Sequence, residues 1–192
     1  IINKLMKLKF VKFKNVKSTN DEAIKLIRSD KHLLGLVSAD MQVKGRGTMG
    51  RKWISYKGNI FISIFFKVNF IKIKIENYLI INAKIIQRIL HEYTKKIIKI
   101  KKPNDLLIDG KKICGILQEV IEHKNEKYLI TGIGINTKIS PTDQNFTCTS
   151  LKINLNKNIN NQHIIKNIKK NYDELIYDLN NYNSLYIKKK YK

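Results

Sequence analysis

The segment N-I-F-I-S-I-F-F-K-V, residues 59–68, limits the fold of this chain strongly, because apolar residues occupy both sets of alternating positions. Successive side chains of an extended chain point to opposite faces, so such a strand is apolar on both faces. That pattern is typical of a strand in the middle of a sheet that is covered on both sides. Residues 59–68 therefore predict a central strand.

Alternating and helical patterns lie on both sides of this strand. Further strands are predicted over residues 5–13, 33–41, 97–101, 106–108, 112–120 and 128–135. In the first of them Met6, Leu8 and Phe10 alternate with lysines, and the register then slips to Val11 and Phe13. Apolar residues at helical spacing predict helices over 18–28, 75–94 and 159–179.

Local signals mark where these elements begin and turn. Thr19 and Glu22 have the spacing of a capping box at a helix start. The pair Asp109-Gly110 predicts a tight hairpin, and Lys124-Asn125 a second one. Helices and mostly antiparallel strands in mixed order predict an α+β fold, with a mixed sheet backed by helices. We expect one domain over residues 1–185 and a basic tail over 186–192.

The formal net charge of +23 suggests nucleic acid or an anionic membrane as a partner. The composition favours another explanation, because 34 Lys, 34 Ile and 21 Asn are all in excess and share A/T-rich codons. A nucleic-acid surface would explain only the lysines, and it would favour arginine, of which there are four. We therefore expect a solvated lysine surface and no specific nucleic-acid partner, and keep a non-enzymatic nucleic-acid binder as an alternative.

Several other classes are excluded by composition. The chain is too apolar for a disordered protein, and its apolar runs are too short to cross a membrane. Cys114 and Cys148 are too few for a disulfide framework, and no Cys/His grouping has zinc spacing. We expect a cytoplasmic protein, with an import signal as the alternative because the first 20 residues contain no acid.

The rare residue types cluster in G-R-G-T-M-G-R-K-W, residues 45–53, which holds three of nine glycines, two of four arginines and the single tryptophan. Gly45-x-Gly47-x-x-Gly50 matches a dinucleotide fingerprint, but a strand follows it where that fold requires a helix. A kinase loop is excluded because the chain has no His-Arg-Asp or Asp-Phe-Gly. The loop fits an anion site of backbone N–H groups and guanidinium groups, or else a solvated surface turn beside a core tryptophan.

A second group of candidates surrounds the predicted hairpin. Asn104 and Asp105 follow a proline at a strand start, and a lysine on the next strand would be held rigidly. Gly115 interrupts an apolar strand, which suggests that a ligand or another chain lies flat against the backbone there. Gly132 and Gly134 present a smooth face in the same way. Cys114 lies between apolar neighbours and is predicted to be a core residue.

Together these motifs resemble the catalytic domain of the biotin protein ligases over residues 8–185. The resemblance is carried, in order, by Ser18-Thr19-Asn20, Gln42, the loop from Gly45 to Trp53, Pro103-Asn104-Asp105, Lys112 with Gly115-Ile116-Leu117, Gly132-Ile-Gly134-Ile-Asn136 and Thr149-Ser150-Leu151. It implies the fold shared by biotin and lipoate ligases and class II aminoacyl-tRNA synthetases. It also implies an enzyme that uses ATP and Mg²⁺ to convert biotin into biotinyl-5′-AMP. Biotin would then pass to a lysine of a biotin carboxyl carrier domain, and a homodimer is possible.

The resemblance also assigns roles to single residues. The implied biotin-binding residues are Ser18, Thr19, Asn20, Gln42, Arg46, Gly47, Thr48, Lys112, Gly115 and Leu117. The implied ATP-binding residues are Arg46, Arg51, Trp53, Asn104, Lys112 and Asn136. Arg46 and Lys112 would contact the reacting carboxylate and phosphate, and Asp105 would orient or deprotonate the acceptor lysine. No fixed protein site for a metal is implied.

The chain departs from the family pattern at a few positions. Lys102 stands where many members have Trp, and Thr48 and Met49 stand where some carry further loop arginines. We expect no N-terminal helix-turn-helix domain, and therefore no DNA repression, and no C-terminal β-barrel domain. A lipoate or octanoate ligase or transferase of the same superfamily remains the alternative function.

Overall fold

The computed structural model describes residues 7–142, 147–155 and 159–191 of the 192-residue chain. Its strands are β1 (Lys9–Val16), β2 (Gly35–Gln42), β3 (Ile60–Lys67), β4 (Ile98–Lys101), β5 (Asp105–Ile108), β6 (Lys111–His123) and β7 (Glu126–Ile135). Its helices are α1 (Thr19–Arg28), α2 (Ile75–His91), α3 (Leu151–Leu155), α4 (Asn161–Asn181) and α5 (Ser184–Lys190). A short 3₁₀ turn lies at Thr48–Gly50.

The seven strands form one sheet in the order β1-β2-β3-β7-β6-β5-β4. Only β1 and β2 pair in parallel, with α1 as the connection between them, and the other neighbours are antiparallel. The predicted central strand is β3, which lies between β2 and β7 and has seven consecutive buried residues before the exposed Lys67. The predicted α+β class with a mixed, mostly antiparallel sheet is confirmed.

The two faces of the sheet are covered differently. On one face α2 and α4 bury the larger apolar core, which includes Ile62, Ile64 and Ile133. On the other face α1 packs its apolar side against a smaller cluster that includes Val37 and Phe65. Alternation along β3 and β7 sends neighbouring side chains into opposite clusters. Helix α1 therefore leaves part of the second face of the sheet uncovered.

Helix α1 begins differently from the predicted capping box. Ser18 is the N-cap residue, yet no side chain caps the helix, and Thr19 is already helical. Glu22 instead pairs with Lys25 one turn later, at 2.7 Å between Oε1 and Nζ. The hydroxyl of Thr19 turns toward Gln42 and Ser63, so a side chain that could cap the helix is used elsewhere.

Other boundaries also differ from prediction. The strand predicted over 5–13 runs from 9 to 16, with Phe10 exposed and Val11 and Phe13 half-buried against α1; residues 5 and 6 lie outside the described residues. The helix predicted over 75–94 ends at His91.

Two short helices near the end of the chain were not predicted. Residues 184–190, partly assigned to a basic tail, form α5, whose Ile187 is fully buried. Just beyond it, the Tyr191 hydroxyl donates to Asp178 Oδ2 at 2.6 Å. The isolated apolar positions Ile187 and Tyr191 are therefore core residues, although the surrounding lysines made the segment look like tail. Helix α3, the other unpredicted helix, follows directly after Ser150.

None of the helices in the described residues is both long enough and apolar enough to cross a bilayer.

Candidate active site

A cavity of about 420 Å³ opens on the face of the sheet that α1 covers only in part. Its floor is formed by β6 and β7, and the glycine loop of residues 43–53 forms a wall. Every residue that the sequence analysis named for binding or catalysis lines this one cavity: Ser18, Thr19, Asn20, Gln42, Arg46, Gly47, Thr48, Arg51, Trp53, Asn104, Asp105, Lys112, Gly115, Leu117 and Asn136. Their proximity follows from the fold, whereas the role of each remains a prediction.

Glycines in the floor let other side chains lie flat on the sheet. A methyl group on Gly134 would be within 2.6 Å of three indole atoms of Trp53, and one on Gly115 would be 2.6 Å from Cζ3 of the same ring. A methyl group on Gly132 would be 2.5 Å from Asn20 Oδ1. The smooth face predicted from these glycines exists, and side chains of the protein itself, Trp53 and Asn20, lie against it.

Trp53 anchors the end of the glycine loop. Its backbone N–H donates to Gly45 O at 2.9 Å, which closes the loop across its base. The indole Nε1 is buried without a hydrogen-bond partner in the described part of the chain. The indole therefore rests against the sheet, and its buried N–H donor is unpaired within the described residues.

A cluster of buried polar side chains forms one end of the cavity. Thr19 N donates to Gln42 Oε1 at 2.9 Å, and Ser63 Oγ lies 2.7 Å from Thr19 Oγ1 and 2.5 Å from Asn20 Oδ1. Ser18, Thr19, Asn20 and Ser63 are all at most 4% exposed. Buried donors and acceptors at the end of an otherwise apolar pocket favour a ligand whose head group also carries donors and acceptors.

Arg46 lies beside this cluster of polar side chains, between two carboxylates. Its Nη1 donates to Asp21 at the start of α1, and its Nη2 donates to both carboxylate oxygens of Glu119 at 2.9 and 2.7 Å. Burial of the guanidinium opposes its charged form, but the two carboxylates outweigh that effect and raise the pKa of Arg46. In this arrangement Arg46 joins the glycine loop to α1 and β6.

Lys112 and Asp105 form an ion pair at the cavity wall. Lys112 Nζ lies 2.8 Å from Asp105 Oδ1, and the two side chains are only 14% and 18% exposed. The ammonium also lies 5.2 Å from the centroid of the Trp53 ring, within the range of a cation–π contact. Lys112 is thus distinguished from the many solvated lysines by its burial and by two specific partners.

The backbone of Lys112 is fixed from outside the sheet. Its N–H donates to Thr147 O at 2.8 Å, and its C=O accepts from Thr149 N at 2.9 Å. This pairing explains why the segment Thr149-Ser150-Leu151, far along the chain, accompanies the site. It holds Lys112 in place at a register irregularity between β5 and β6.

The side-chain amides of Asn104 and Asn136, two predicted ATP-binding residues, differ in their hydrogen bonding. Asn104 Nδ2 donates to Ile116 O at 2.8 Å, and Ile116 N donates to Asn104 O at 2.9 Å, so Asn104 fixes the entry into β5. Asn136, 1% exposed at the end of β7, has a buried Oδ1 with no hydrogen-bond partner among the described residues. A buried, unpaired acceptor of this kind is suited to accept a hydrogen bond from a bound ligand.

Three residues of the site were missed in the sequence analysis. Ser63 is a polar residue inside the apolar strand 59–68, and a hydroxyl buried there needs a hydrogen-bond partner. Glu119 lies on the face of Gly115 and Leu117 by simple alternation, two residues further along β6. Asp21 is adjacent to the Ser18-Thr19-Asn20 group, but it lies within the helix predicted over 18–28 and was given no role in the site.

Cys114 is fully buried on the face opposite the cavity, as predicted for a core residue. Burial raises the pKa of its thiol, which disfavours the nucleophilic thiolate. Within the described ranges, no three His, Cys, Asp or Glu side chains are grouped so that they could hold a metal ion.

The sequence matches a known protein family. A sequence model of the biotin/lipoate A/B protein ligase family matches residues 12–136, more than half of the chain. No curated protein sequence gives a significant match.

Solved structures show the same fold. A biotin protein ligase from Aquifex aeolicus in complex with biotin and ATP is 26% identical, with a TM-score of 0.74 over 88% of this chain and 71% of that chain. A biotin protein ligase from Leishmania major in complex with biotinyl-5-AMP is 23% identical, with a TM-score of 0.75 over 96% and 79%. At 10% identity, a bipartite lipoate protein ligase from Thermoplasma acidophilum shares the fold with a TM-score of 0.59 over 90% and 84%.

The matched residues run from β1 to the end of β7 and include the glycine loop, the polar cluster and the Lys112–Asp105 pair. The chain therefore belongs to the biotin/lipoate A/B protein ligase family.

Proposed function

We propose that this protein is an ATP-dependent biotin protein ligase. It converts biotin and ATP into biotinyl-5′-AMP and pyrophosphate, and then transfers biotin to a lysine of a biotin carboxyl carrier domain. The family includes enzymes for biotin and for lipoate, so the choice of biotin depends on the site.

The polar cluster is the observation that carries this choice. Thr19, Asn20, Gln42 and Ser63 place amide and hydroxyl groups together where the cavity meets α1. The fused-ring head of biotin has a urea group with both N–H donors and a carbonyl acceptor. The dithiolane ring of lipoate has neither, so it could not exchange hydrogen bonds with these groups, which pair with one another and with Glu119 in the structure.

The charges around the cavity suit the first reaction. The described residues that line it include six basic side chains and one acidic one, Asp105. The biotin carboxylate must attack the α-phosphorus of ATP while the bond to the β-phosphate breaks, and the two anions repel each other. Fixed cations at that point lower the barrier, and we propose that Lys112 and Arg51, which both line the cavity, supply them.

Arg46 is proposed to contact the same carboxylate and phosphate. Because Asp21 and Glu119 share its guanidinium, an incoming anion gains that charge only by competing with a carboxylate. Trp53 would lie beside the adenine, with Asn104 and Asn136 nearby. Gly47, Thr48, Gly115 and Leu117 would line the path of the biotin chain.

The glycine loop is proposed to keep water from the adenylate, which hydrolyses readily. Arg46 and Trp53 tether the two ends of the loop, while Met49 at its tip is 81% exposed. Mg²⁺ would arrive with ATP, neutralising phosphate charge. Asp105, within the cavity, is one carboxylate that suits such an ion, and a nucleotide-bound Mg²⁺ needs only one or two.

The second reaction needs a neutral amine at the adenylate. The acceptor lysine would attack the acyl carbon, AMP would leave, and the amine would lose a proton. Asp105 is proposed to orient the amine or accept that proton. The basic surface would favour approach of an acidic carrier domain.

The direct test is incubation with biotin, ATP, Mg²⁺ and a carrier domain, read with labelled avidin, together with biotin-dependent exchange of pyrophosphate into ATP. We expect exchange in the wild type, its loss in Arg46→Ala, and a fall of about 10²- to 10³-fold in Lys112→Ala. Lys111→Ala, at an exposed lysine on the same strand, is the matched control and should retain exchange.

A thermal-shift comparison separates the two ligands of the family. Biotin should raise Tm, whereas lipoate at the same concentration should not. Stabilisation by lipoate alone, with lipoate-dependent exchange, would contradict the proposal and favour the lipoate ligase alternative.

A further inference from the structure

Glu119 joins two parts of the site that are otherwise separate. Its carboxylate accepts a hydrogen bond from Asn20 Nδ2 at 2.6 Å and two from Arg46 Nη2 at 2.7 and 2.9 Å. Asn20 belongs to the polar cluster, and Arg46 belongs to the glycine loop. One side chain on β6 therefore contacts the buried end of the cavity and the loop at its wall.

The contact with Asn20 determines the direction of hydrogen bonds through the polar cluster. A carboxylate only accepts, so the NH₂ group of Asn20 must face Glu119 and its carbonyl must face Ser63. The hydroxyl of Ser63 then donates to Asn20 Oδ1, at 2.5 Å. Thr19 Oγ1, 2.7 Å away, is left to donate to Ser63 or to Gln42. Without a fixed acceptor at position 119, the Asn20 amide could rotate and reverse this order.

The contact with Arg46 restrains the loop. Arg46 has carboxylate partners on two elements, Asp21 on α1 and Glu119 on β6. Charge-assisted hydrogen bonds of this kind are roughly twice as strong as neutral ones. Loss of Glu119 removes two of the three hydrogen bonds that Arg46 makes to these carboxylates and leaves the one to Asp21.

We propose that Glu119 is a positioning residue that couples the polar head-group cluster to the glycine loop. This inference rests on the proposed function, because it concerns the same biotin-binding end of the cavity. Glu119 holds Asn20 in the orientation that a urea group requires, and it holds the loop against β6 through Arg46. Occupation of the cluster and closure of the loop are thereby linked through one carboxylate.

Two substitutions separate these contacts. Glu119→Gln keeps the size of the side chain but offers only one acceptor, so its NH₂ group must face either Asn20 or Arg46, both of which are donors. Asp21→Asn weakens only the second anchor of Arg46. Glu122→Gln, at an exposed position on the same strand, is the matched control for the loss of one negative charge.

Biotin affinity is measured by titration calorimetry. We expect Glu119→Gln to raise the Kd and KM for biotin about 10- to 100-fold, while the KM for ATP changes less than threefold. Glu119→Asp, which keeps both acceptors, should recover part of this loss. Asp21→Asn should weaken biotin binding less than Glu119→Gln does, because it loosens the loop and leaves the contact between Glu119 and Asn20 in place. Glu122→Gln should bind biotin like the wild type.

Closure of the loop is measured without ligand by an arginine-specific protease. The chain has four arginines, and two of them, Arg46 and Arg51, lie in the loop. Glu119→Gln and Asp21→Asn should be cut there several times faster than the wild type and Glu122→Gln, at a temperature well below the Tm of each variant.

Equal biotin affinity and equal loop cleavage in Glu119→Gln and Glu122→Gln would overturn the inference while leaving the biotin ligase proposal intact. A wild type that binds no biotin would overturn both. If Glu119→Gln fails to fold, Glu119→Asp and Asp21→Asn provide the test. Wild-type biotin affinity and wild-type cleavage in folded Glu119→Asp, together with wild-type cleavage in Asp21→Asn, would also overturn the inference.

Discussion

Replacing Gly134 with alanine tests whether the indole of Trp53 rests on the sheet. The added methyl group would lie within 2.6 Å of three atoms of the ring, whereas ordinary contact begins at 3.4 Å. Strand β7 is bonded to neighbours on both sides, and the loop is not, so the indole should move and the strand should stay. The substitution therefore should lift Trp53 without unfolding the sheet.

The size of the effect follows from what the ring loses. Half-burial of a large aromatic side chain is worth about 1–2 kcal/mol. Loss of that contact shifts the closing equilibrium of the loop by about 5- to 30-fold. We expect biotin and ATP to bind more weakly by a similar factor, and Tm to fall by about 2–8 °C.

Fluorescence measures this directly, because Trp53 is the only tryptophan of the chain. Emission from Gly134→Ala should shift to longer wavelength as the indole becomes solvated. Gly47→Ala is the matched control for emission and stability: it lies in the same loop, has a φ of −114°, and its methyl group would be 3.5 Å from the nearest atom. If Gly134→Ala emits at the wild-type wavelength and binds biotin as tightly as the wild type, the indole does not rest on Gly134, and the reasoning fails.

Three further predictions concern other parts of the molecule. Ser63→Ala removes the donor to Asn20 Oδ1 and should raise the KM for biotin about 5- to 20-fold with kcat within twofold, measured by pyrophosphate exchange; an unchanged KM would contradict the role of the cluster. Burial raises the pKa of Tyr78 from 10.0 to about 12, so the unfolded chain loses this proton first and stability should fall between these pH values by up to about 1.4 kcal/mol per pH unit. Urea denaturation from pH 9 to 11 should show a shallower decline in Tyr78→Phe, and equal slopes would contradict this source. Ile187→Ala should lower the free energy of unfolding by about 2–5 kcal/mol, measured by thermal denaturation. Leu185→Ala, at a position 74% exposed in the same helix, should lower it by less than about 0.5 kcal/mol. Similar losses in the two variants would mean that α5 is not packed against the core.

Much of the fold could be predicted from local patterns. Residues 59–68 indicated a central strand because both faces are apolar, and Asp109-Gly110 marked a hairpin because few residue pairs tolerate that turn. Helix α5 was missed because its one buried residue, Ile187, is surrounded by lysines. Such a lysine-rich segment was interpreted as an exposed tail. The capping box was wrong because Thr19 has a tertiary partner, which local spacing does not reveal.

The sequence by itself determined most of the residues that assemble at the site, all but Ser63, Glu119 and Asp21. Glycines and arginines are rare in this chain, and those at 45–53, 115, 132 and 134 stand out because backbone approach and anion contacts require them. Only the tertiary structure decided how they are used. It placed Trp53 and Asn20 on the glycine floor, and it placed Arg46 between two carboxylates from distant elements. These pairings form because α1, β6 and the loop lie next to one another in the fold. Residues that are far apart in the sequence give no local signal of such contacts.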